Sequence, residues 1–88
     1  LGNSEENIDN HTSVYPIPVS SELHIQTPYL EEIRWEVVSL TGQIVLKDKK
    51  TDHLGKFSIS LNNLASGVYL LKGKSKENQT LFSKKIIK

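Results

Sequence analysis

"VYLLKGKSKENQTLFSKKIIK" (68–88) is the stretch on which the fold turns. Two apolar, β-branched runs, "VYLLKGKSK" (68–76) and "QTLFSKKIIK" (79–88), flank Glu77-Asn78. That pattern predicts a β-hairpin closed by a two-residue connection. Chain ends usually fray, and β-branched apolar residues are poorly placed on a frayed tail. Ile86 and Ile87 are therefore expected to belong to a final strand paired with 68–76. One isoleucine faces the core and the other a second surface or solvent.

The same grammar runs upstream. "KFSISL" (56–61) alternates through Phe57, Ile59 and Leu61. "NNLASG" (62–67) reads as a loop with Leu64 as its apolar plug and Gly67 at its end, where a positive φ is cheap. "QIVLKDKK" (43–50) follows "EIRWEVVSL" (32–40) across Thr41-Gly42, a hairpin signal. In 32–40, Ile33, Trp35 and Val37 share one face, and then Val38 and Leu40 take over the alternation. Such a flip predicts a bulge or a change to two-sided burial. "ELHIQT" (22–27) puts Leu23 and Ile25 on one face. "SVYPIPVS" (13–20), with Pro16 and Pro18, is confined to an edge strand or an extended lead-in. No stretch keeps a helical period over ten or more residues. About seven short strands and no helix predict an all-β, antiparallel fold, two packed sheets rather than a closed barrel.

"LGNSEENIDNHT" (1–12) is polar, acidic and nearly free of apolar residues. It reads as a linker, with one domain over 13–88. The absence of a methionine or leader at Leu1 reads as excision from something larger. With no cysteine, neither a disulfide framework nor a thiolate site is available. No apolar run approaches the roughly 18 residues of a membrane helix. Charge is lopsided: residues 1–36 carry seven acids against Arg34, and 37–88 carry ten lysines against Asp48, Asp52 and Glu77. Complementary strands with solvated faces are one explanation, and a basic surface for an anionic partner is another. Nucleic acid is disfavoured, because the basic half has no arginine and Tyr69 and Phe82 form no stacking platform.

Catalysis needs converging groups, and none is spaced for it. His11, His24 and His53 lack a second ligand at metal spacing, so no metal or other cofactor is expected. The serines lack a nucleophile-elbow pattern. Glu31 and Glu32 are adjacent and point apart in a strand. Asn10-His11-Thr12 and Asn78-Gln79-Thr80 match the glycosylation acceptor pattern and are read as chance. The chain reads as a non-enzyme.

Three stretches in this order, "VYPIPVSSELHIQ" (14–26), "VVSLTGQIVLK" (37–47) and "ISLNNLASGVYLLKGKSKENQTLFSKKIIK" (59–88), resemble one family over residues 13–88. It is the C-terminal sorting domain of type IX (Por) secretion cargo proteins in Bacteroidetes. The specific combination is Leu61, Leu64, Gly67, Tyr69 and Leu71 followed by a terminal Lys-Lys-Ile-Ile-Lys. Position by position, Pro16 and Pro18 match the first motif, and Gly42 with Val45 the middle one. Gly67, Tyr69, Leu71 and Lys72 match the start of the last motif, and Lys84, Lys85, Ile86, Ile87 and Lys88 its end. Ile17 departs from the asparagine common between the two prolines.

The resemblance implies a seven-stranded Ig-like β-sandwich that acts as an address. It implies transit through the periplasm and recognition by an outer-membrane translocon and its shuttle protein. It further implies delivery to the cell surface or medium, often with cleavage by a surface sortase and attachment of the parent protein to anionic lipopolysaccharide. From the residues alone, "KKIIK" is equally a lysine-guarded edge strand. As an address it would be read by strand addition, with Lys84, Lys85, Lys88 and the terminal carboxylate fixing register. An exposed terminal edge also leaves an edge-paired or swapped dimer of the isolated domain open. The competing reading is an Ig-like adhesion or carbohydrate-binding module using Tyr29, the one aromatic that looks free, or an uncleaved, surface-retained domain of the same fold.

Overall fold

The computed structural model describes residues 11–88, and among them the chain forms seven antiparallel strands and no helix. They are β1 (Ser13–Tyr15), β2 (Glu22–Gln26), β3 (Ile33–Ser39), β4 (Ile44–Lys50), β5 (Lys56–Ser60), β6 (Val68–Lys74) and β7 (Thr80–Ile87). One sheet has the order β1-β2-β5 and the other β4-β3-β6-β7. This is an Ig-like sandwich in which the fourth strand pairs with the third in the larger sheet. Of the linker expected over 1–12, residues 1–10 lie outside the described residues. His11 is exposed, and buried Thr12 meets the Thr27 hydroxyl at 2.9 Å.

Period-two alternation builds the core. Leu23 and Ile25 of β2 and Ile59 of β5 face Ile33, Val37, Leu71, Phe82 and Ile86 of the larger sheet, all at most 5 % exposed. Leu61, fully buried, starts the crossover between sheets, and Leu64 packs against the core from the loop. The Tyr69 hydroxyl donates to the Ala65 carbonyl at 2.7 Å, which fixes that crossover in the manner of a tyrosine corner. A side chain buried to this degree contributes roughly 1.5–3 kcal/mol. Truncating Phe82 would therefore remove more than any single surface contact supplies.

β4 is different. Its positions on the core side of the sheet are Leu46, Asp48 and Lys50, because it overhangs the three-stranded sheet. Lys50 is 5 % exposed, yet its ammonium donates to the Asp52 carbonyl at 2.9 Å and lies 3.3 Å from the Asp52 carboxylate. The Leu54 amide holds the Asp52 carboxyl below the usual carboxylate range; desolvation, the next largest effect, opposes it, and the Lys50 ammonium adds to the lowering.

The expected bulge in β3 is present, as a register shift between Val37 and Val38. The flip does not turn Val38 and Leu40 into the core, however: Val38 stays on the face opposite Val37, buried by its neighbours there. Leu40 is 78 % exposed, because the chain has already turned into the hairpin loop. The connection at Glu77-Asn78 is three residues long, Lys76–Asn78. Ser75 N–H donates to the Gln79 carbonyl and Asn78 N–H to the Ser75 carbonyl, each at 2.9 Å. Asn78 takes the positive φ (69°) that this loop needs.

Candidate functional site

β7 is the outer strand of the four-stranded sheet, so one of its backbone edges has no neighbouring strand. Its pairing with β6 sets Val68 opposite Ile87, Tyr69 opposite Ile86, Leu70 opposite Lys85 and Leu71 opposite Lys84. Gly67 extends the ladder by one pair. Its N–H donates to the Lys88 carbonyl at 2.9 Å, and its carbonyl accepts from the Lys88 N–H at 2.8 Å. Gly67 is therefore an extended, paired residue, which corrects the expectation of a positive φ there. The positive-φ glycine among the described residues is Gly42, at 90°. A Cβ at Gly67 would find only the Tyr69 ring, at 3.9 Å, so the backbone argument against a branched side chain there does not hold.

The residues singled out in the sequence divide into two groups. Tyr69, Leu71 and Ile86 are core, with their side chains at most 9 % exposed. Lys85 is exposed, Ile87 is 40 % exposed, and Lys72 and Lys84 are half-buried. Lys88 is a structural clip. Its ammonium donates to the Leu64 carbonyl at 2.5 Å and lies 3.5 Å from that of Asn62, which straps the chain end to the crossover loop.

The three motifs converge at one end of the sandwich. The Val19 N–H donates to the Ile87 carbonyl at 2.7 Å, which brings the Pro16–Pro18 lead-in against the last strand. Pro16, Ile17 and Pro18 stay exposed, both X-Pro bonds are cis, and Val19 is 3 % exposed. Ser39 pairs with Tyr69, which sets the Gly42 loop at that same end. Val45 is the extra residue at the β3–β4 bulge. The backbone edge of β7 is thus already capped at Ile87 by Val19. By the alternation of the ladder, the outward-facing groups that remain lie at Ser83 and Lys85.

Two residues outside the matched motif positions, Val19 and Gly73, also shape this sheet. A Cβ at Gly73 would come well inside contact distance of the Phe82 ring, so the end of the ring occupies the space that a side chain would need. A glycine inside a strand signals such an approach. Two aromatics also depart from expectation. Tyr29, expected to be free, is half-buried against the core. Tyr15, on the edge strand β1, is 45 % exposed and stacks on His24 at 5.5 Å between ring centres, although most of the aromatics alternate as core residues do.

Comparison with known proteins gives one match. Residues 13–88 fit the sequence model of the family described as secretion system C-terminal sorting domain. No curated protein and no solved structure matches the chain.

Proposed function

The chain belongs to the secretion system C-terminal sorting domains of the type IX pathway, and from that premise we propose that its folded terminal strand is the surface the export machinery reads. Membership carries the general role: a sorting signal that directs its parent protein to the cell surface or the medium through contact with the secretion machinery. The family is one of signal domains and not of enzymes.

The observation that supports the finer reading is the division along β7. Ile86 and Lys88 are committed to the fold, whereas Lys85 and Ile87 present side chains outwards beside a backbone edge still open at Ser83 and Lys85. A strand of a translocon or shuttle protein added at that edge would take its affinity from backbone hydrogen bonds. Its specificity would come from Lys85, Ile87 and, one strand inwards, Lys72. On this reading residues 1–12 are the linker to a parent protein, the parent passes through the periplasm, and a sortase cleaves upstream of residue 13.

The test uses a reporter with a periplasmic signal fused ahead of residues 1–88, in a bacterium with an intact type IX system. Removing Lys84–Lys88 would also remove a core isoleucine and the Lys88 clip, so it conflates folding with reading. Lys85→Glu with Ile87→Ser alters only exposed positions. The expected result is surface delivery with the native domain and periplasmic retention with the double variant, at unchanged thermal stability. Delivery of the variant at native efficiency would refute the reading.

A further inference from the structure

The outer face of the four-stranded sheet has an organisation that the sorting role does not require. Val37 and Leu71 point into the core, so their neighbours Glu36 and Lys72 point out, and the register extends that face across four strands. One row runs Lys49, Arg34, Lys74 and the next Lys47, Glu36, Lys72, Ser83. The third runs Ile44, Val38, Leu70, Lys85, and beside it Val68 faces Ile87. Six cations, Arg34, Lys47, Lys49, Lys72, Lys74 and Lys85, thus share the face. Glu36 lies in the same rows, 3.9 Å from Lys74, and Glu32 reaches Arg34 at 3.6 Å from the margin. A shallow groove of ≈ 520 Å³ lies among the cations Arg34, Lys47, Lys49 and Lys74, and Trp35, Glu36, Asp48 and Asn78 also line it.

Next to this basic band lies an apolar one. Ile44 is 47 % exposed and Ile87 40 %, with half-buried Val68 and Leu70 between them. Leu40, 78 % exposed, sits on the adjoining hairpin loop. Val38 is only 8 % exposed although it faces outwards, so these side chains already cover it as a continuous patch.

We propose that this face is a peripheral membrane-binding surface, with the basic rows on the anionic headgroups of a lipid bilayer and the apolar band entering its interface. The chemistry favours a bilayer over a protein or a glycan. Five of the six cations are lysines, point charges without the planar fork with which arginine selects a single carboxylate or phosphate. Trp35, the aromatic that lines the groove, belongs by its register to the opposite face of the sheet, so these rows offer no ring platform for a sugar. A flat two-band face, polar and cationic on one side and aliphatic on the other, matches the headgroup–acyl boundary as an interfacial helix does. The inference stands on the sheet geometry and not on the sorting reading.

Co-sedimentation of the 88-residue chain with vesicles tests it, using phosphatidylcholine alone and phosphatidylcholine mixed with phosphatidylglycerol. Binding is expected to the anionic vesicles only, and to weaken steadily as salt rises. Lys47→Glu, Lys49→Glu and Lys74→Glu together, none of them in the terminal-strand surface, should lower partitioning on the order of a hundredfold. Lys56→Glu, on the opposite sheet, should leave it unchanged. Leu40→Ser with Ile44→Ser should weaken binding without altering its salt dependence. No binding to anionic vesicles at low salt overturns the proposal, and that arm needs no variant. So does equal binding by the triple variant, provided circular dichroism shows it folded. Binding indifferent to the Leu40 and Ile44 changes, and abolished by soluble polyglutamate, would overturn it in favour of an acidic protein segment.

Discussion

The two hairpins of the larger sheet, β3–β4 and β6–β7, are built on one plan displaced along the chain. "VVSLTGQIVL" (37–46) and "GKSKENQTLF" (73–82) align without a gap. In each, a serine N–H donates to the carbonyl of a glutamine four residues on, at 2.8 Å for Ser39–Gln43 and 2.9 Å for Ser75–Gln79. In each, the residue before the glutamine, Gly42 or Asn78, takes the positive φ and returns its N–H to the serine carbonyl at 2.9 Å. In each, the register shifts just inside the loop, between Val37 and Val38 or between Gly73 and Lys74. A three-residue loop with one left-handed position enforces this geometry, and asparagine tolerates that position nearly as well as glycine.

The hairpins differ in what they carry. At the pair beside the bulge, β3–β4 sets Val37 against Leu46, two side chains of middling size, and β6–β7 sets Gly73 against Phe82. β6–β7 spans the core, and Phe82 is fully buried. β4 overhangs it, and its core-side positions become charged within two residues of Leu46. Local turn chemistry is thus shared, while the load each hairpin bears is set by its place over the smaller sheet.

The largest effect should come from exchanging the pair. Gly73→Val drives a branched side chain into the Phe82 ring, which is walled in by the core, at a cost of about 3 kcal/mol. Phe82→Leu alone empties space and costs about 2 kcal/mol. Together they install the β3–β4 pair in β6–β7, and the double variant should be more stable than the sum by about 1–3 kcal/mol. Urea unfolding followed by Trp35 fluorescence measures all three. Strict additivity would mean that the two pairs do not fill equivalent slots, and the comparison would fail at its centre.

Much of this was legible in the sequence. The alternation showed β2 and β5 and that Ile86 and Ile87 take opposite faces, though not which of them is core, and the flip at Val38 marked the bulge. At Gly67 the local pattern misleads, because a glycine at the end of a polar loop looks like a turn residue. Its partner, Lys88, lies 21 positions away, and local pattern does not show pairing at that distance. The loop at Lys76–Asn78 looked shorter than it is because Ser75 is polar and yet buried at 3 % exposure, serving the loop with its side chain. At the terminal strand, composition could not separate Lys88, a clip, from Lys85, an exposed cation. That distinction depends on where the carbonyls of residues 62 and 64 fall.

The serines should give the next effect. The Ser75 hydroxyl accepts from the Glu77 and Gln79 amides, each at 3.2 Å, in a buried setting. The Ser39 hydroxyl accepts from the Gln43 amide at 3.3 Å and meets the Thr41 hydroxyl at 2.9 Å where water can substitute. Ser75→Ala should therefore cost about 1–2 kcal/mol and Ser39→Ala about 0.5 kcal/mol. Thermal melts of the two variants decide it. Equal losses would mean that burial does not distinguish the loops.

The smallest effect separates the far ends of the hairpins, where each second strand closes with a lysine on backbone carbonyls. Lys50 adds the Asp52 carboxylate at 3.3 Å, whereas the Lys88 contacts, Leu64 and Asn62, are carbonyls that do not titrate. The Leu54 amide and Lys50 lower the folded pKa of Asp52 below its unfolded value. Its contribution is therefore complete above the ordinary carboxylate range and is lost as pH falls through the lowered value. Asp52→Asn should lower the melting temperature slightly at neutral pH and converge with the native chain in acid. Lys88→Met should lower it by the same amount at both ends of that range. The carboxylate is exposed, so solvent screens it and the difference between the two profiles will be slight. Parallel profiles for the two variants would mean that Lys50, like Lys88, is held by its carbonyls alone.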